Sequence, residues 1–253
     1  MNWAKIKTVL IVLFLVIDIF LVIWNVALRR EAKIVDEEVL RSTEELLATR
    51  GINVPEGILK EGIPDIKRVI VKNVLGNEAS FVGGILGRKY TKSGNVFYND
   101  ECSVEITGDS FRITENVRIK NAEDAEKWLE KKGLDLKDTI KAEYRGEFVF
   151  RSMYKGMEVF GSRISVKTED GKATAYGRLY YVAENSETET NVRHATSVLP
   201  KLIQEGIANC SVSSITPGYR VITEDGKFSE ATASPAYRIL LSDGREIFYN
   251  ATN

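Results

Sequence analysis

Residues 143–182 read EYRGEFVFRSMYKGMEVFGSRISVKTEDGKATAYGRLYYV, and their pattern decides the fold class. Apolar and polar side chains alternate with a period of two, the spacing of a half-buried strand. Lys155-Gly156 and Glu169-Asp170-Gly171 interrupt the runs with residues suited to tight reversals. The pattern predicts three strands, over 143–154, 157–167 and 172–182, joined as an antiparallel meander. Just upstream, Asn121 has the short polar side chain of a helix N-cap, and Glu123 and Asp124 suit the positive end of the helix. Ala122, Ala125, Trp128 and Leu129 then recur on one face until Gly133 stops the helix. A helix followed by antiparallel strands is an α+β signature rather than that of a parallel α/β sheet.

The same order recurs on both sides of this stretch. Upstream, a helix over 34–50 carries Val35, Val39, Leu46 and Leu47 near one face and ends at Gly51. Apolar runs follow at 69–75 and 81–86, with short strands around 89–98, 103–106 and 110–114. Downstream, Val192, Ala195, Leu199, Leu202 and Ile203 suit a helix that Pro200 either kinks or restarts. Strands follow at 211–215, 219–223, 236–241 and 246–250. The segment NSETETN at 185–191 reads as a linker. The expected fold is therefore α+β: repeated helix-plus-antiparallel-sheet units at 29–116, 117–185 and 190–253, the third packing with the second.

An apolar segment precedes these units. From Val9 the chain reads VLIVLFLVIDIFLVIWNVAL, with Asp18 and Asn25 as its strongly polar side chains. About 20 helical residues span roughly 30 Å, the thickness of a bilayer core. No A-x-A cleavage pattern follows, so the segment reads as an uncleaved transmembrane helix over 8–28 after a short tail, 1–7. Trp3 and Trp24 lie where aromatic rings favour the membrane interface, and Lys5, Lys7, Arg29 and Arg30 flank the span as further anchors. Basic residues on the two sides balance, so charge sets no orientation. A carboxylate at mid-span costs a few kcal/mol on insertion scales. Asp18 and Asn25 are accordingly expected to hydrogen-bond to a partner helix.

The rest of the composition excludes more than it assigns. Of the 253 residues, 43% are hydrophobic and 28% charged, with a net charge of −1, and no basic stripe suits a nucleic acid. Cys102 and Cys210 lack CxxC spacing, so no zinc ribbon or thioredoxin-type site is expected; a bridge and two free thiols both fit. Gly83-Gly84-x-x-Gly87 lacks the GK[ST] of a phosphate loop and reads as a tight turn between strands. His194 is the lone histidine and reads as structural, so no metal, cofactor or catalytic set is expected. Tyr144, Phe148, Phe150 and Tyr154 read as the core face of a sheet rather than a base-stacking platform.

The opening MNWAKIKTVLIVLFLVIDIFL resembles the amino terminus of YycI-type proteins, accessory membrane proteins of the WalK/WalR (YycG/YycF) two-component system in low-GC Gram-positive bacteria. The resemblance rests on Trp3, Lys5, Lys7 and Asp18-Ile19-Phe20-Leu21. It continues through Phe148-Val149-Phe150, Tyr154-x-Gly156, Val159-Phe160 and Gly171. Pro217-Gly218-Tyr219, Pro235-Ala236-Tyr237-Arg238-Ile239 and Gly244-Arg245-Glu246-Ile247-Phe248-Tyr249-Asn250-Ala251 extend it to the carboxy terminus. Three features depart from the family: Asp18 stands where Asn is common, and neither VGGILG at 82–87 nor the long third unit is expected from it. The resemblance implies a non-enzymatic regulator of cell-wall metabolism, single-pass in the cell membrane, with a cytoplasmic amino terminus and an extracytoplasmic domain. Its implied partners are a sensor histidine kinase (WalK/YycG-like) and a YycH-like accessory protein, met through membrane helices, with a homodimer as the other assembly. The alternative function is an extracytoplasmic binding module for a cell-wall, lipid or peptide ligand.

Overall fold

The computed structural model describes Lys7 and residues 13–24, 36–55, 57–60, 62–223 and 228–252. Two compact units emerge: residues 1–64 with 193–212, and residues 65–192 with 213–253.

In the smaller unit, helix α1 (Glu37–Ala48) begins at Asp36, whose carboxylate accepts from the Glu38 N–H at 3.0 Å. Its inward line is Leu40, Thr43 and Leu47, spaced i, i+3, i+7, with Thr43 and Leu47 buried. Val39 and Leu46 are exposed, so this narrow line, rather than the broader apolar face expected, anchors the helix. Strand β1 (Ile52–Asn53) pairs in parallel with Cys210 and Ser211. The downstream helix is short: a 3-10 turn at Ala195–Ser197, then α4 (Pro200–Gln204) with Pro200 in its first turn. Proline thus opens a fresh helix, where its missing N–H costs nothing. His194 caps the 3-10 turn, its Nδ1 accepting from the Thr196 N–H at 3.3 Å.

Residues 13–24 are helical and exposed throughout. Among the described residues no helix is long and apolar enough to cross a membrane. That finding counts against the expected membrane helix and the expected single-pass placement in the cell membrane; residues 8–12 and 25–28 of the expected span lie outside the described residues.

The larger unit holds most of a sheet that curls as a half-barrel. Its strands are β2 (Val69–Asn73), β3 (Thr91–Ser93), β4 (Val96–Tyr98), β5 (Cys102–Thr107), β6 (Ser110–Glu115), β7 (Thr139–Tyr144), β8 (Glu147–Tyr154), β9 (Met157–Glu169), β10 (Lys172–Arg178), β11 (Tyr180–Val182), the later part of β12 (Cys210–Val221), β13 (Glu230–Leu241) and β14 (Glu246–Asn250). The order is β11-β2-β13-β12-β9-β10-β6-β5-β4-β3, with β14 beside β13 and the β7–β8 hairpin beside β9. The fold is therefore mostly β, and the expected α+β series of repeated helix-and-sheet units is not what forms. The reason is pairing: β6 ladders onto β10, β2 onto β13, and β12 in parallel onto β9. Strands of three apparent repeats thus share one sheet.

Two local readings also change. Residues 143–154 form two strands, because Arg145 and Gly146, both at positive φ (52° and 79°), make a two-residue hairpin turn between β7 and β8. The VGGILG stretch lies in helix α2 (Glu78–Leu86), not in a turn between strands. Asn77 caps it by accepting from the Ser80 N–H at 3.0 Å, and Phe81, Val82, Ile85 and Leu86 are buried on one face. Burying four large apolar side chains outweighs roughly 1 kcal/mol for each internal glycine. Helix α3 (Ala122–Lys131) forms as the cap and periodicity predict, with Asp124 N–H bound to Asn121 at 2.8 Å and Ala125, Trp128 and Leu129 buried.

Helices α2 and α3 share a core with one face of β4, β5, β6, β8, β9 and β10, through side chains including Phe97, Val104, Ile113, Phe150, Ile164 and Ala175. Strand alternation sends the intervening residues to the opposite face, which no helix of this core covers.

Candidate functional site

The uncovered face carries an unusual row. Register places Arg151 of β8 opposite Arg163 of β9, and Arg163 opposite Arg178 of β10. Three like charges on adjacent strands repel one another, an arrangement that costs stability.

A bulge builds the row. Between the Arg151–Arg163 and Met153–Glu158 pairs, β8 advances two residues while β9 covers five. Gly161 sits in this excess at φ 86°, a conformation open to glycine at little cost. The core side of the bulge is pinned by a buried 2.7 Å hydrogen bond between the Ser152 and Ser162 hydroxyls. The Tyr180 N–H donates to the same Ser162 Oγ at 2.8 Å. Without the bulge, Arg151 would face a different residue of β9.

On the solvent side the row lines a cleft of about 410 Å³, together with Arg238, Glu158, Glu246, Phe160 and Phe248. Four arginines thus meet two glutamates. Arg238 Nη1 lies 2.9 Å from Glu158 Oε2 and 3.9 Å from Glu246 Oε1. Arg151 Nη1 is 3.8 Å from the same Glu158 oxygen, so one carboxylate serves two cations. Arg178 Nε is held by Asp109 Oδ1 at 2.9 Å and donates to Ser110 Oγ at 3.1 Å. Asp109 also accepts from the Tyr180 hydroxyl at 2.8 Å; burial, then this carboxylate, push the Tyr180 phenol well up. Arg163, exposed at the centre of the row, has no side-chain ion pair or hydrogen bond among the described residues. Phe160 forms the cleft's apolar wall, with the Phe248 ring 5.2 Å away and the Arg238 guanidinium 5.4 Å from its centroid.

A second groove of about 570 Å³ borders the other side of the bulge and is lined by Asp135, Asp138, Glu184, Tyr154 and Tyr181 among others. Among the described residues, no cluster of three His, Cys, Asp or Glu side chains is placed to hold a metal ion.

Of the site residues expected from sequence, Asp18, Trp24 and Lys7 are described. Asp18 and Lys7 are exposed, and the Trp24 ring stacks on Phe20 with centroids 5.8 Å apart. Trp3, Lys5, Asn25, Arg29 and Arg30 lie outside the described residues. Phe148 and Phe150 are core residues, as expected, whereas Tyr144 is exposed and Tyr154 donates to Glu187 Oε1 at 2.9 Å. Cys102 and Cys210 are not bridged. Sequence reasoning missed the arginine row, which depends on register. The available signal was an arginine at the outward phase of each of three successive strands.

No protein-family model and no curated protein matches the chain. Among solved structures, the chain is similar to that of an uncharacterized protein from Eubacterium rectale, with 13% sequence identity and a TM-score of 0.46, covering 86% of this chain and 96% of that one.

Proposed function

We propose that this chain is a non-enzymatic accessory regulator of a sensor histidine kinase controlling cell-wall metabolism, of the YycI type, with residues 13–24 as its partner-contacting helix. The observation that carries the reading is the exposure of that helix. Eleven large apolar side chains, from Leu13 to Trp24, are exposed around it, with Asp18 set among them. A helix apolar on every side is stable when other apolar surface covers it. Helices of the kinase and of a YycH-like protein supply such a surface, and a second copy of the chain is the alternative. A bound regulator shifts a two-state kinase only by preferring one state. A tenfold shift takes about 1.4 kcal/mol, within the range of one or two polar contacts made by Asp18. Co-purification tests this: Asp18→Leu is expected to lower recovery of the kinase or the second accessory protein and to alter output of the kinase's regulon. Unchanged recovery together with unchanged output rejects the proposal.

The cleft favours a second reading, a binding module. An arginine row whose central member, Arg163, has no carboxylate partner among the described residues suits capture of an anionic ligand, whatever the helix contacts.

A further inference from the structure

We infer that the cleft over the β9 bulge binds a small ligand bearing two neighbouring oxyanion groups, phosphate or carboxylate, centred on Arg163. This deepens the binding-module reading and is independent of the kinase contact.

The charge pattern sets the demand. Adjacent strands lie about 4.8 Å apart, so the row from Arg151 through Arg163 to Arg178 extends over roughly 10 Å. Arg178 is largely satisfied by Asp109 and Ser110, and Arg238 by Glu158. Arg163 has no side-chain partner among the described residues, and Arg151 has only a share of Glu158 at 3.8 Å. The unmet positive charge therefore centres on Arg151 and Arg163. A guanidinium presents a planar fork of N–H donors that matches carboxylate or phosphate oxygens in pairs. One oxyanion fits between Arg151 and Arg163, and a second, one strand spacing away, reaches the free edge of Arg178. The repulsion within the row is then relieved by the ligand, which gives the bulge and its register a function.

The cavity agrees with this demand. About 410 Å³ lies within the range of small-molecule sites, and the Phe160 and Phe248 rings offer apolar surface to the body joining the two anions. Glu158 is the internal competitor: it partly neutralises Arg151 and Arg238 in the empty cleft, so binding is expected to strengthen when it is neutralised.

Calorimetric titration of the full-length chain at low ionic strength, with pyrophosphate in one arm and citrate in the other, tests the inference. Saturable one-to-one binding of either is expected; pyrophosphate alone assigns the phosphate source and citrate alone the carboxylate. Arg163→Gln is expected to weaken binding at least tenfold and Glu158→Gln to tighten it. Arg88→Gln, at an exposed arginine outside the cleft, is expected to leave it unchanged. No saturable binding of either anion, or equal loss in the Arg163 and Arg88 variants, overturns the proposal. Should Arg163→Gln fail to fold, Arg163→Lys keeps the charge without the fork and is expected to weaken binding as well; full-strength binding by that variant likewise overturns it. None of these outcomes depends on kinase association, and Asp18→Leu should leave the titration unchanged.

Discussion

Arg163 joins a stability cost to a recognition site in one side chain. It faces Arg151 on one side and Arg178 on the other, and directly opposed like charges cost roughly 0.2–1 kcal/mol. Arg163→Thr, which places a good strand former between two arginines, is therefore expected to raise stability by about 0.5 kcal/mol. Urea unfolding at low salt measures this directly. The gain should shrink as salt approaches 0.5 M, because exposed charges are then screened over a few ångströms. A loss of stability at both salt levels contradicts the repulsion argument. The combination of gained stability and lost anion binding would mark a residue kept for function. Its neighbours in sequence disclose none of this. Arg163 stands in SRISVK, where an exposed arginine between inward-facing Ser162 and Ile164 reads as an ordinary solvated strand residue.

At the scale of the element, hairpin counting explains what was legible. The turn at Asp170-Gly171 pairs Glu169 with Lys172, and counting outward places Arg163 opposite Arg178, as observed. Counting from the turn at Lys155-Gly156 instead places Arg151 opposite Phe160. The bulge displaces that pairing by three residues, and Gly161 is its sole trace in the sequence. Helix α3 was fully legible, because its cap, face and stop are all local. Helix α2 was not: its glycines suggest a turn, and only tertiary burial of Phe81, Val82, Ile85 and Leu86 overrides them. The β9–β10 ladder can be tested at one atom. Gly177 has φ 145°, and a Cβ there would lie 2.1 Å from the Arg163 carbonyl oxygen. Gly177→Ala must therefore push the two strands apart beside the arginine row, at an expected cost of about 3 kcal/mol. A lowered urea midpoint and faster amide exchange confined first to β9 and β10 are the expected signatures. A midpoint equal to that of the parent protein would show that the ladder tolerates the methyl group.

At the scale of the whole molecule, sheet order departs most from chain order, and tyrosines mark the place. Strand β11 leaves the meander after Arg178 to pair with β2, a hundred residues earlier, and β2 pairs in turn with β13. Such long-range ladders are set by burial summed over the sheet, which no local pattern encodes, so helix-then-strand order suggested repeats where a single curled sheet forms. Tyr180 and Tyr219 are buried in this seam with Ile66, Val69, Val71, Val159 and Ala233, and Tyr154 packs against them. Burial is the first cause that raises the phenols of Tyr154, Tyr176, Tyr180, Tyr181 and Tyr219, pushing Tyr219 up to about 12. In the unfolded chain a tyrosine loses its proton near pH 10. Between about pH 10 and 12 the folded protein therefore holds more protons than the unfolded one, and the linkage slope is negative: stability is intact below pH 10 and falls as pH rises through that window. Absorbance at 295 nm, followed with near-ultraviolet circular dichroism, should show the seam tyrosines Tyr154, Tyr180 and Tyr219 ionising later than exposed phenols, in a step that coincides with loss of tertiary signal. Because the seam joins strands far apart in the chain, the step should be steep. Gradual, fully reversible ionisation of all ten phenols near pH 10, with the dichroism unchanged, would mean that the seam is open to water and that the sheet does not close around it.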